Sequence, residues 1–224
     1  MPDATVAGAH RPDEVLQLLY TDTRKIRNAK EAIFVAISGP QNDGAKYVPA
    51  AYDLGVRTFI VHQEPKEILP DAQFILVENT FSSLASIASW KRAQFKGTMV
   101  VISGRIGKTT VKEWMYHFLS PQTLVTRSPK SYNSTLGVIL SLLEMNIHAE
   151  VALIEVKPHV ELNPHFIQQL IRPDLAILTS SDGIQALFPD SYYEQLFSGS
   201  KVLFHLSNKR LFESYTGQRK RVLA

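Results

Sequence analysis

The chain has 224 residues, of which 45% are hydrophobic and 20% charged, with a formal net charge of +3. Such a length suits one large or two small globular domains, and so small a charge gives no argument for a nucleic-acid partner. With no cysteine at all, disulfides, thiolate metal sites and a cysteine nucleophile are excluded.

Met1 to Pro12 lacks the basic-then-apolar order of a secretory signal. No apolar run approaches the roughly 20 residues that cross a bilayer, so no membrane span is expected and the protein reads as cytoplasmic. Phe34–Ile37, Thr58–Val61 and Phe74–Val77 are short apolar runs of the kind buried as strands. Between the first two, Lys46–Leu54 is predicted as a short helix ended by Gly55. Phe81–Phe95 carries Phe81, Leu84, Ala88 and Phe95 at helical spacing. A joint near Phe95-Lys96-Gly97-Thr98 leads to a second α/β unit, with a strand over Met99–Ile102 and a helix over Thr110–Leu119 that has Val111, Trp114, Met115 and Phe118 on its apolar side. Leu136–Met145 is predicted as a helix, and Val151–Glu155, Leu175–Thr179 and Val202–Leu206 as strands. Lys209-Arg210 and Arg219-Lys220-Arg221 form a basic tail that reads as solvated. Strands alternating with helices predict the α/β class with mainly parallel sheets covered on both faces, and in such sheets ligands collect at the carboxyl ends of the strands.

The segment that carries chemistry is Gly104-Arg105-Ile106-Gly107-Lys108-Thr109-Thr110, between a strand and a helix. A glycine turn opening a helix points backbone N–H groups and the positive end of the helix dipole at a phosphate. Lys108 would neutralise phosphate charge, and Thr109 would offer its hydroxyl to Mg²⁺. The longer P-loop pattern needs a further glycine where Ile102 stands, so only the short form, Gly-x-x-Gly-Lys-Thr, is present. Gly104, Gly107, Lys108, Thr109 and Thr110 are the predicted nucleotide-binding residues. His159 and His165 flank Glu161, but that spacing fits neither a His-x-x-x-His helix face nor a zinc signature, and they read as solvated loop histidines. Asp190 and Glu194 share a helix face that reads equally as an exposed one.

Four stretches resemble the Mur ligases, the ATP-dependent amide-forming enzymes of peptidoglycan synthesis. Thr21-Asp22-Thr23-Arg24-Lys25 resembles the Asp-Ser-Arg motif on the uridine side of the substrate. Phe34-Val35-Ala36, through Gly39 to Asp43-Gly44, resembles the next loop of that substrate domain. Gly104 to Trp114 resembles the Gly-Ser-Asn-Gly-Lys-Thr loop and its helix. Arg127-Ser128-Pro129-Lys130-Ser131-Tyr132-Asn133-Ser134, continuing to Leu136-Gly137-Val138, resembles the branch that adds D-alanyl-D-alanine to a UDP-muramoyl tripeptide, in the form fused upstream of an alanine racemase. The resemblance runs from about Thr21 to Phe204.

It implies a small substrate-binding α/β domain over residues 1–96 and an incomplete P-loop ATPase-like domain over 97–224. It also implies the reaction: ATP phosphorylates a carboxylate, and an amine displaces phosphate from the acyl phosphate. ATP and Mg²⁺ are the implied cofactors. By resemblance Glu155 joins Thr109 as a metal ligand, Asn133 contacts phosphate or substrate, and Thr21, Asp22, Thr23, Arg24, Asp43 and Gly44 hold a UDP-muramoyl peptide. The implied partners are these small molecules and a protein supplying the missing ligase part.

The chain departs from the family pattern at Arg105 and Ile106, where Ser and Asn are usual, at Lys157 in place of glycine, and at Ala45 in place of histidine. In Thr179-Ser180-Ser181-Asp182-Gly183-Ile184-Gln185, Ser180 and Gln185 replace an asparagine and a metal-binding histidine. The place of a modified lysine falls on Ser200, beside Lys201. No catalytic residue is assigned. These departures set beside the ligase two other readings: a degenerate paralogue that binds nucleotide or UDP-sugar without ligation, and a non-catalytic interaction protein.

Overall fold

The computed structural model describes residues 4–9, 11, 18–39, 42–65, 69–158, 163–179 and 190–205. The chain divides into two compact units, Met1–Ile87 and Ala88–Ala224.

The first unit holds β1 (Thr5–Gly8), β2 (Leu18–Tyr20), β3 (Ala32–Val35), β4 (Ser38–Gly39), β5 (Asn42–Asp43), β6 (Thr58–Val61) and β7 (Gln73–Leu76), with helix α1 over Val48–Asp53. Its main sheet runs β1-β7-β6-β3-β2. β2, β3, β6 and β7 pair in parallel, and β1 closes the edge antiparallel to β7. Every residue of β6 is buried, as a central parallel strand requires. Phe34, Phe59 and Phe74 stand on adjacent strands and touch ring to ring, with centroids 6.5 Å and 5.2 Å apart. They anchor the core against Val48, Ala51 and Val56. Helix α2 (Thr80–Gln94) follows, and the division between the units falls within it.

The second unit is built on β8 (Thr98–Ser103), β9 (Val125–Arg127), β10 (Val151–Glu155), β11 (Leu175–Leu178) and β12 (Lys201–His205). The sheet order is β12-β11-β8-β10-β9, and all its pairings are parallel. Helices α3 (Lys108–Leu119), α4 (Thr135–Glu144), α5 (Pro164–Ile171) and α6 (Asp190–Leu196) connect the strands. On β8, Val100 and Ile102 alternate with Met99 and Val101, all at most 2% exposed, because helices cover both faces. Val111, Met115 and Tyr116 of α3 pack on the face that carries Val100, Ile102 and Leu153.

The predicted strands and helices coincide with observed elements to within a few residues at each end. One detail of α3 is corrected. Of the apolar side chains at helical spacing, Val111 and Met115 face the sheet, whereas Trp114 and Phe118 are 64% and 68% exposed. The sheet-facing stripe of α3 is Lys108, Val111, Lys112 and Met115, the i, i+3, i+4, i+7 set, with the two lysines buried and Val111 and Met115 half-buried. His165 is likewise not in a loop: it lies exposed on α5, its ring 2.8 Å from Gln169, while His159 and Glu161 fall outside the described residues. The short strands β1, β2, β4 and β5 had no predicted counterpart, and neither did α5 and β9. Helix α5 begins with Asn163 capping the N–H of Phe166, then Pro164 in the first turn, and β9 is a half-buried edge strand of only 3 residues.

Candidate functional site

β8 is the middle strand of its sheet, and the chain leaves its carboxyl end through Gly104–Gly107. Gly107 has φ +86° and occupies the N-cap of α3, a left-handed conformation that glycine adopts without strain. It brings no side chain to cap the helix, whereas α4 and α5 are capped by Ser134 and Asn163. Gly107 thus leaves the first-turn N–H groups of α3 without a capping side chain of its own, the arrangement that suits an anion. Thr179, just beyond β11, props the loop from below. Its hydroxyl lies 3.2 Å from the Ser103 carbonyl and donates to the Ile106 carbonyl at 2.6 Å.

Glu155 ends β10, whose register sets it beside Ile102 of β8. Its side chain is fully buried. The Thr109 hydroxyl donates between its two oxygens at 2.9 and 3.0 Å, and Asn133 Nδ2 donates to Oε1 at 2.8 Å. The 128–133 segment is held by both its ends. Ser128 Oγ accepts the Glu155 N–H at 3.1 Å, and the Asn133 carbonyl accepts the Lys157 N–H at 2.8 Å. Lys108 is 8% exposed, with Nζ donating to the carbonyls of Gly104 and Arg105 at 2.9 and 3.0 Å. Burial pulls its ammonium below the ordinary lysine value; Glu155 opposes that shift and Lys157 adds to it.

The predicted residues Lys108, Thr109, Asn133 and Glu155 therefore converge on one end of the sheet. Thr110 is exposed on α3, and Ile106 presents 70% of its side chain to solvent. Lys112, one turn beyond Lys108 and fully buried, belongs to the same cluster and was not among the predicted residues. Its signal lay in the spacing, since residues four apart share a helix face. Ser180–Gln185, the side chain of Lys201 and the basic tail lie outside the described residues.

Thr109 and Glu155 suit Mg²⁺, which takes one or two protein oxygens and completes its shell with phosphate and water. Among the described residues no group of three His, Asp or Glu gathers as a metal cage.

In the first unit, Asp43 caps the turn Gly44–Tyr47 by accepting the Ala45 N–H at 2.9 Å. It lines a cavity of about 480 Å³ together with Ala45, Lys46, Gln63, Glu64 and Leu69. Asp22 accepts from Arg24 Nε at 2.9 Å and Nη2 at 2.8 Å, a local pair directly after β2. Thr21–Arg24 follow β2 and Gln63-Glu64 follow β6, so both groups lie at the carboxyl edge of the parallel strands, although Thr21–Arg24 do not line the cavity. A larger cavity, about 640 Å³, lies in the second unit among Lys96, Thr98, His148, Glu150 and Asp174. It opens at the amino ends of β8, β10 and β11, opposite the end at which parallel sheets bind ligands.

Residues 102–182 match the Mur ligase middle domain. A UDP-N-acetylmuramoyl-tripeptide–D-alanyl-D-alanine ligase of Buchnera aphidicola is 28% identical over 208 residues, 92% of this chain and 42% of that protein. The ligase of the same description from Rickettsia prowazekii is 30% identical over 67% of this chain and 33% of its own length. Among solved structures, a D-alanyl-D-alanyl ligase from Acinetobacter baumannii superposes with a TM-score of 0.76 over 92% of this chain and 48% of its own, at 18% identity. The MurF ligase from Thermotoga maritima, in complex with ADP, gives 0.70 over 92% and 49% at 21% identity. The chain thus spans well under half the length of the relatives it matches.

Proposed function

Taking the chain as a relative of the Mur ligases of peptidoglycan precursor synthesis, with their middle-domain sequence over residues 102–182, we propose that it binds Mg-ATP at the loop of the second unit and a UDP-muramoyl peptide on the first. The observation that carries this reading is the convergence of Thr109, Asn133 and Glu155 beneath an α3 N-terminus whose N-cap, Gly107, brings no capping side chain. The loop N–H groups would bind the phosphates, and Lys108 would turn from the Gly104 and Arg105 carbonyls to the terminal ones. Thr109 and Glu155 would hold Mg²⁺, which supplies charge neutralisation at the phosphate oxygens. In the first unit, Asp43 at the cavity, Gly44 in the turn it caps, and Thr21, Asp22, Thr23 and Arg24 after β2 would receive the UDP-linked substrate. Among the described residues no helix is long and apolar enough to cross a membrane; on this reading the protein would work where ATP and UDP-linked precursors are available, in the cytoplasm. Amide formation is a property of the longer relatives; for these residues we assign substrate binding.

The test is equilibrium binding of Mg-ATP to the chain and to Lys108→Ala. Saturable binding that weakens by more than about tenfold in the variant is expected, the effect of losing one charge-assisted hydrogen bond. No binding to the unmodified chain, or equal binding to both, overturns the reading.

A further inference from the structure

Lys112 is fully buried on the sheet-facing side of α3, and its ammonium is surrounded by oxygen acceptors. Nζ donates to the carbonyl of Ser128 at 2.9 Å and to that of Lys130. It also lies 3.4 Å from Glu155 Oε2 and 3.4 Å from Glu113 Oε1. Glu113 has a second cation of its own, Arg127 at 2.8 Å. For Glu155, Lys112 is the ion-pair partner among the described residues, with both side chains wholly shielded from water, and the Lys108 ammonium acts on it electrostatically from farther off. A carboxylate taken out of water without a counter-charge is strongly disfavoured. Thr109 and Asn133 lend Glu155 neutral donors, so the compensating charge within ion-pair distance comes from Lys112.

The geometry of those contacts divides the carboxylate. Asn133 holds Oε1 and Lys112 faces Oε2. The side facing Thr109, toward the phosphate loop, is the side left for a metal. The same ammonium ties down the Ser128–Lys130 turn, in which Lys130 has φ +48°, and Asn133 follows that turn directly. A neutral side chain of equal length could fill the space but could not join α3, the turn and the end of β10 through one charge.

We propose that Lys112 is a positioning residue for the phosphate–metal site: it supplies the buried counter-charge of Glu155 and fixes the turn that delivers Asn133 to it. This rests on the nucleotide-binding reading above, and two measurements separate the failure of one from the failure of the other. The first is denaturant unfolding of the ligand-free chain, of Lys112→Met, of Glu155→Gln and of the double variant. Lys112→Met should lower stability, and adding Glu155→Gln should restore part of the loss, the non-additivity of two groups in one network. Should Lys112→Met fail to fold, Lys112→Gln, which keeps an N–H donor for the Ser128 carbonyl, takes its place. Simple addition of the two losses overturns the counter-charge assignment, because a residue that only holds the turn would not be rescued by a change at Glu155.

The second measurement is the affinity for a fluorescent ADP with and without Mg²⁺. Metal and nucleotide binding are linked equilibria, and Mg²⁺ should tighten binding to the unmodified chain by about tenfold or more. In Lys112→Met the affinity without metal should persist while the Mg²⁺ enhancement is lost. An enhancement unchanged in the variant overturns the proposal. If the unmodified chain binds no nucleotide in either condition, the nucleotide reading fails, and the unfolding cycle alone decides whether Lys112 and Glu155 are coupled.

Discussion

Gly137 shows how closely the site is packed. It lies in the first turn of α4, and its N–H donates to Ser134 Oγ at 3.2 Å. A Cβ there would stand 2.8 Å from the carbonyl carbon of Tyr132 and 3.0 Å from its Cα. Helix propensity alone favours alanine over glycine by about 1 kcal/mol. The clash works against it and falls on backbone one residue before Asn133. Gly137→Ala should therefore destabilise the chain by about 1–3 kcal/mol, the usual cost of overpacking, and weaken nucleotide binding together with it. Chemical denaturation and nucleotide titration of the variant check both effects; a stabilised variant with unchanged affinity would mean that the 132–133 backbone yields. Arg24 is the opposite case. It is mostly exposed and paired with Asp22, whose carboxyl it holds below the ordinary value. An acid with a depressed folded pKa contributes stability above its unfolded pKa, about 4, and loses it as pH falls through the depressed value. Arg24→Ala should thus leave the melting temperature at pH 7 nearly unchanged, since exposed pairs contribute little, and any difference should vanish in acid.

At the level of elements, what could be read from the sequence depended on whether an element's own residues reveal its surroundings. β6, β8 and β10 are buried on both faces, so their β-branched runs stand out. β2 and β9, of 3 residues each, are partly exposed edge strands that exist because a neighbour pairs with them. In α3, Trp114 and Phe118 satisfy the same spacing rule as Val111 and Met115, so periodicity could not choose between adjacent faces. The choice was made by the sheet, against which Lys108 and Lys112 reach the polar cluster at the strand ends. A buried cation also fixes the end of α5. Arg92, on α2, donates to the carbonyls of Ile171 and Arg172 at 2.5 and 2.7 Å, two of the groups that a helix leaves unpaired at its C-terminus. Arg92→Met keeps much of the apolar stem and removes both bonds. It should cost about 2–4 kcal/mol, the combined loss of charge-assisted bonds and stranding of buried carbonyls. Urea unfolding measures this, and a loss below about 0.5 kcal/mol, the ordinary size of a surface change, would show that water takes over the two carbonyls.

At the scale of the molecule, the site was readable where its chemistry is local and unreadable where it is assembled. Gly104 to Thr109 are contiguous, and Glu155 sits at a recognisable strand end. Lys112 acquires its role only because β10 lies beside β8 and brings Glu155 to it. The proposed phosphate site is drawn wholly from the second unit and the UDP-substrate residues wholly from the first, so the two binding functions should be separable by mutation. Lys108→Ala should remove Mg-ADP binding and leave the affinity for a UDP-muramoyl tripeptide unchanged, while Asp43→Ala, at the cavity of the first unit, should do the reverse. Calorimetric titration of each ligand into each variant decides it. Loss of both affinities in either variant, with the fold retained, would mean that one composite site serves both ligands. Binding of both ligands still falls short of ligation, because an amine has to reach the activated carboxyl, and the relatives that carry out the full reaction are more than twice the length that this chain matches. Incubated with ATP, UDP-muramoyl tripeptide and D-alanyl-D-alanine, the chain alone should therefore yield no amide detectable by mass spectrometry. Product formation that disappears in Lys108→Ala would instead assign the complete reaction to these 224 residues.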